Sequence, residues 1–96
     1  MSDKKLPSLK VGVGWIDIVV TSEPNLSLTI RGYAPTLKVR VPKTGLEYEW
    51  YVSAKSIAEP LEELRERNGG RFQGIRLRVR KDSMERTALY RVEPVS

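Results

Sequence analysis

The sequence predicts an α+β fold, a curved and mainly antiparallel sheet of about six strands with one helix packed on one face, in the order ββββαββ. Three observations lead there. Residues 11 to 52 and 74 to 94 alternate apolar and polar side chains with the period of two that a half-buried strand requires. Only Ser56 to Asn68 repeats its apolar residues at helical spacing. The links between these runs are short and rich in Pro, Gly, Asn and Asp, which favours antiparallel neighbours.

Met1 to Lys10 holds adjacent lysines, Pro7 and little to bury, and is expected to be a flexible basic tail ahead of a single domain over residues 11–96. Val11 to Val20 is rich in β-branched residues and closes on Thr21 to Asn25, a turn signal containing Pro24. Ile16, Ile18 and Val20 share one face of this strand; Val13, Trp15 and Asp17 share the other, and Asp17 takes Trp15 toward water. Gly12 and Gly14 mark a bulge, a bend or the close approach of another backbone. As a phosphate cradle they are poor, because no helix follows to aim its amino terminus at an anion.

The second strand, Leu26 to Tyr33, sets Leu26, Leu28 and Ile30 against Ser27, Thr29, Arg31 and Tyr33. After a break at Ala34-Pro35, Thr36 to Val41 turns Leu37, Val39 and Val41 inward and Lys38 and Arg40 outward, and Pro42 to Gly45 makes a turn. The fourth strand has two registers. Burying Leu46, Tyr48, Trp50 and Val52 is the cheaper, since it leaves Glu47 and Glu49 in water. Ser56 to Glu59 forms a capping-box pattern, which puts Pro60 in the first helical turn, with Ile57, Leu61 and Leu64 on one face. Starting at Ser53 instead would drive Pro60 into the helix interior. Arg65 and Arg67 suit the negative end of the helix dipole, and Asn68-Gly69-Gly70 stops it. The last hairpin runs from Gly74 through the polar tetrad Asp82 to Glu85 and back over Thr87 to Glu93. Its first strand places Ile75, Leu77 and Val79 on a dry face and Arg76, Arg78 and Arg80 on a basic one. Tyr90 has two readings: inward with Ala88 and Val92, or outward with the arginines if Leu89 faces inward.

Composition narrows the chemistry. With 17 Lys and Arg against 12 Asp and Glu, the chain carries +5, which favours an anionic partner. The chain has no Cys and no His, which removes disulfides, thiol nucleophiles, the usual zinc sites and the commonest general acid-base group. No catalytic residue, metal site or cofactor is expected. There is no membrane-length apolar run and no signal-peptide stretch, so a cytoplasmic protein is expected. Asn occurs only at 25 and 68 and Gln only at 73, a scarcity of heat-labile residues that fits a thermophile.

If the helix covers the apolar face, the opposite face collects Trp15, Arg31, Tyr33, Lys38, Arg40, Arg76, Arg78 and Arg80, with Arg91 on the strand opposite. Solubility would explain any one of these arginines. Cations interleaved with aromatics on an open curved sheet suit single-stranded DNA or RNA, with phosphates held by Arg and Lys and bases stacked on Trp15 and Tyr33. The rival reading is a protein-interaction or dimerisation module using the same open face, where Trp, Tyr and Arg are also enriched. A metal-dependent nuclease site at Asp17, Glu47 and Glu49 fits least, because the two glutamates alternate naturally on a solvated strand face.

The basic-aromatic sheet, the Ser56 to Asn68 helix and the hairpin from Gly74-Ile75-Arg76-Leu77-Arg78-Val79-Arg80 to Leu89-Tyr90-Arg91-Val92 resemble the ThermoDBP group of archaeal single-stranded DNA-binding proteins. The resemblance covers most of residues 11 to 94 at the level of pattern. It implies a cleft in which bases meet apolar and aromatic side chains while Arg and Lys meet phosphates. The founding members of that group dimerise through an additional carboxy-terminal, zipper-like helix; residues up to Ser96 show none, so dimerisation is not expected by that route.

Overall fold

A computed structural model describes residues 6–30 and 32–95. The fold is α+β: β1 (Ile16–Val20), β2 (Asn25–Thr29), β3 (Gly32–Val41), β4 (Leu46–Tyr51), α1 (Lys55–Arg67), β5 (Arg76–Lys81) and β6 (Tyr90–Pro94). All pairings between these strands are antiparallel.

β3 is hydrogen-bonded on both edges. β4 follows residues 36–41 along one edge, and on the other the chain lays β1 and β2 end to end, β1 against Val39 and Arg40 and β2 against residues 32–36. The turn signal at Thr21 to Asn25 therefore does not reverse the chain. It makes a bulge: Thr21 N–H still donates to the Lys38 carbonyl (2.8 Å), Lys38 N–H donates to the Ser22 hydroxyl (3.0 Å), and Asn25 already faces Thr36. Ser22, Glu23 and Pro24 are the excess, opposite Leu37 alone, and such an insertion bends the strand that carries it. The Glu23 carboxylate anchors the bulge by accepting N–H bonds from Phe72 (3.1 Å) and Gln73 (2.8 Å).

The expected break at Ala34-Pro35 is instead continuous strand. The Pro35 carbonyl accepts from Val52 N–H (3.1 Å), so the ring nitrogen, on the same side, lies where β4 has already ended. A proline is tolerated at such an edge.

β5 pairs with β1, and β6 closes the far side of the sheet. Register stacks Ile16 on Val79, Ile18 on Leu77, Val20 on Val39 and Leu37 on Trp50. These form the core, with Ile57, Leu61 and Leu64 of α1 buried against them. The cheaper register of β4 is the one adopted at Trp50, 2% exposed, and at Val52, with Tyr48 half-buried, but Leu46, beside the turn that opens the strand, is exposed rather than buried. Tyr90 follows the inward register, half-buried beside the core with the Lys81 ammonium 5.6 Å from its ring centre.

The helix starts two residues earlier than the capping box predicts. Ala54 is the N-cap and offers no side-chain cap, Pro60 lies inside the helix, and no acidic residue occupies the first turn. The Ser56 hydroxyl has another task, accepting the Tyr90 N–H (3.1 Å) and tying α1 to β6. At the other end Gly70 N–H reaches the Arg65 carbonyl (2.9 Å), with Gly69 and Gly70 both at positive φ, a Schellman-type stop.

Part of the expected flexible tail pairs with the sheet. Leu9 N–H donates to the Glu49 carbonyl and Glu49 N–H to the Pro7 carbonyl, each 2.9 Å, a short parallel addition to the outer edge of β4. Met1 to Lys5 lie outside the described residues. Among the described residues no helix is long and apolar enough to cross a membrane.

Two substitutions test this architecture by urea unfolding. Leu61→Ala, in a side chain 2% exposed, should cost about 2–5 kcal/mol through lost burial and a cavity. Glu23→Ala, which strips two N–H groups of their acceptor, should cost on the order of 1 kcal/mol.

Candidate nucleic-acid interface

The face of the sheet away from α1 is built in rows, because residues opposite each other in antiparallel strands point the same way. Crossing from β4 to β5, one row reads Glu47, Arg40, Val19, Arg76; the next, crossing from β1 to β6, reads Asp17, Arg78, Glu93. A third pairs Arg80 with Arg91, and Lys38 stands beside Glu49. The structure therefore gathers Trp15, Lys38, Arg40, Arg76, Arg78, Arg80 and Arg91 on one surface.

Trp15 lies just ahead of β1 in the phase of Asp17, with the Arg78 guanidinium 4.5 Å and the Arg80 guanidinium 5.3 Å from its ring centre. It is 40% exposed. Cations over an indole face are attracted by its quadrupole, so the two arginines hold the ring in place while leaving part of it open.

Tyr33 is not on this face. The sequence expectation continued the alternation of β2 through Arg31 to Tyr33, but the chain reverses between Thr29 and Gly32, which are paired, and Gly32 takes φ +108°. Reversal makes Tyr33 the cross-strand neighbour of Leu28, on the side that Leu37 and Val39 occupy farther along β3. Tyr33 is 73% exposed there, away from Lys38 and Arg40. Arg31 lies outside the described residues.

The basic residues divide into two kinds. Arg78 donates to Glu93 through Nε (3.1 Å) and Nη2 (2.6 Å), Arg91 Nε donates to Asp82 (2.9 Å), and Arg80 approaches the same carboxylate at 3.8 Å. Asp82 raises the Arg91 pKa above its ordinary value, chiefly through that hydrogen bond, so Arg91 stays charged at any working pH. Lys38, Arg40 and Arg76 have no ion pair among the described residues. Neutralisation at Glu93 and Asp82 was not legible in the sequence, because it depends on the register of β6 against β5 and on the fold of the turn after Lys81.

Lys43, which the sequence reading left in a turn, joins the unpaired group. With Arg40, Arg76, Asp17 and Val19 it lines a depression of about 240 Å³. The depression arises because β1 pairs with β3 only at Val19 and Val20, leaving a notch beside the β3–β4 turn. Asp17 stands across a full strand from Glu47 and Glu49, and among the described residues no group of three carboxylates, His or Cys could hold a metal ion.

No protein-family model, no curated protein and no solved structure matches this chain.

The two tryptophans separate the face from the core. Trp15→Ala should change unfolding stability by less than about 1 kcal/mol, whereas Trp50→Ala should cost about 3–5 kcal/mol. Acrylamide quenching of the wild-type chain should correspondingly report one accessible and one shielded indole.

Proposed function

We propose that the protein binds single-stranded nucleic acid, DNA or RNA, across the face of the sheet opposite α1, in the manner of the ThermoDBP group that the sequence resembles, and that it has no catalytic role. The observation that carries this reading is an exposed indole held by two arginines beside a set of cations that form no ion pair among the described residues. Lys38, Arg40, Lys43 and Arg76 supply phosphate contacts, and Trp15 supplies a stacking platform. Arg78 and Arg80 orient the indole and can exchange their carboxylate partners for phosphates. Stacking selects unpaired bases, because a duplex hides their faces. Tyr33 is left out of the contact set by its position, and Arg91 contributes less than its sequence position suggests because Asp82 competes for it. An organism living at high temperature and a nucleoid or cytoplasmic location go with this reading.

Anisotropy of a labelled single-stranded oligonucleotide, compared with its duplex and with RNA across salt, tests it. Neutralising about four phosphates should make log K fall against log salt with a slope of about −3. Arg40→Ala and Arg76→Ala should each flatten that slope by about 0.7. Trp15→Ala should cost about 1–3 kcal/mol of binding. Glu93→Gln, which frees Arg78, should tighten binding. No association at low salt would refute the proposal.

A further inference from the structure

Away from the arginine face, a second surface lies outside the contact set proposed above. Among the described residues β2 packs on no element other than β3, so residues 25–29 and 32–35 stand out from the sheet as a two-stranded arm. One side of this arm is an apolar ladder, with Leu26 and Leu28 each 64% and Tyr33 73% exposed, and at its tip, in the reversal between the strands, Ile30 is fully exposed. Isolated ribbons of this kind are marginal in water, and large contiguous apolar patches on a monomer mark interaction sites. The ladder runs into a groove. Leu26 faces Pro35, and Pro35 lines an apolar cavity of about 240 Å³ with Leu37, Leu61, Ala58 and Phe72 at the root of the arm.

We infer that this strip is a dimer interface, occupied by the arm of a second copy of the chain. Its two ends are complementary: an apolar knob, Ile30, at the tip and an apolar hole at the root. A twofold axis through the middle of such a strip carries each knob to the hole of the other copy, which is the condition for a closed isologous pair. The hole is large enough, since about 150 Å³ holds a benzene-sized group. Leu26, Leu28, Ile30 and Tyr33 expose on the order of 600 Å² per copy, so reciprocal packing removes at most about 1,200 Å² from them, the lower bound for a stable interface, to which the groove walls add.

Charge points the same way. Two copies at +5 each repel through their basic faces, whereas the sequence of the arm and the lining of the groove carry one charge of each sign, Arg31 next to Ile30 and Glu62 at the rim. Lysine and charge commonly protect exposed strands from self-association, and Asn25 to Ile30 contains neither charge nor proline. The outer edge of β4 is covered by residues 7–9, and β6 carries Arg91, Glu93 and Pro94. Packing through the strip leaves both arginine faces outward, so the inference stands whether or not nucleic acid binds.

Sedimentation velocity of the full chain across micromolar concentrations, at low and high salt, tests it. A species of twice the 10.9 kDa chain mass is expected, retained at high salt. Ile30→Asp, at a side chain without intramolecular burial, should leave the far-UV circular dichroism spectrum unchanged and raise the dimer dissociation constant at least about tenfold. Ala58→Arg, which fills the groove from the other side, should do the same, with circular dichroism checking that it folds. Arg76→Glu, on the opposite face, should leave the mass unchanged. A monomer at every concentration would overturn the inference. So would a dimer indifferent to Ile30→Asp, or one that Arg76→Glu dissolves, which would locate the contact on the open sheet face.

Discussion

The whole arrangement depends on β3 being paired on both edges while its other-edge partner changes halfway along. Ten residues long, it is core for half its length and arm for the other half. The change of partner is made by the bulge at Ser22 to Pro24, where an ordinary turn would have folded β1 against β2 and given a plain meander. Glu23 holds the bulge against the amides of Phe72 and Gln73, so one carboxylate couples the bend in the first strands to the loop that leads into β5. Val20 reinforces the same junction through bonds with Ile75 (2.9 Å) and Gly74 (2.8 Å).

Two surfaces with opposite chemistry follow from that one strand. Where β3 lies inside the sheet, its even-numbered residues Lys38 and Arg40 project away from the helix into a charged face. Where it leaves the sheet, its odd-numbered residues continue the core side without the helix to cover them, and Tyr33 emerges beside Leu28. The apolar ladder of the arm is thus the extension of the core past the end of its cover. Charge and apolar surface are separated by the pleat of a single strand rather than by separate modules.

The charged face is less positive than its arginine count suggests. Cross-strand carboxylates at Glu93 and Asp82 engage Arg78 and Arg91, and exposed pairs of this kind add little to stability. Their larger effect is on where a polyanion is attracted. Positive potential is left around Arg40, Lys43 and Arg76, next to the notch that opens where β1 and β3 part.

Much of the fold was legible in the chain itself. Alternation within each run is a local property, and an unbroken strand keeps its phase, so Ile18, Val20, Leu37, Val39, Trp50, Leu77 and Val79 could be assigned to the core without knowing what they touch. The same reasoning placed Trp15 and the arginines of β5 together. What tertiary structure decided lay at the joints between runs. Phase is not carried through a reversal, so Tyr33 changed face once Thr29 paired with Gly32. Whether Thr21 to Asn25 turned the chain or only bent it depended on β3 offering a second length of free edge. The helix could begin at Lys55, with Pro60 inside it, because burial of Ile57, Leu61 and Leu64 and the bond from Tyr90 to Ser56 outweigh one ideal cap. Which arginines remained free depended on register between strands far apart in sequence. Side-chain periodicity is written residue by residue, whereas partner choice is settled only when all the strands compete for the same edges.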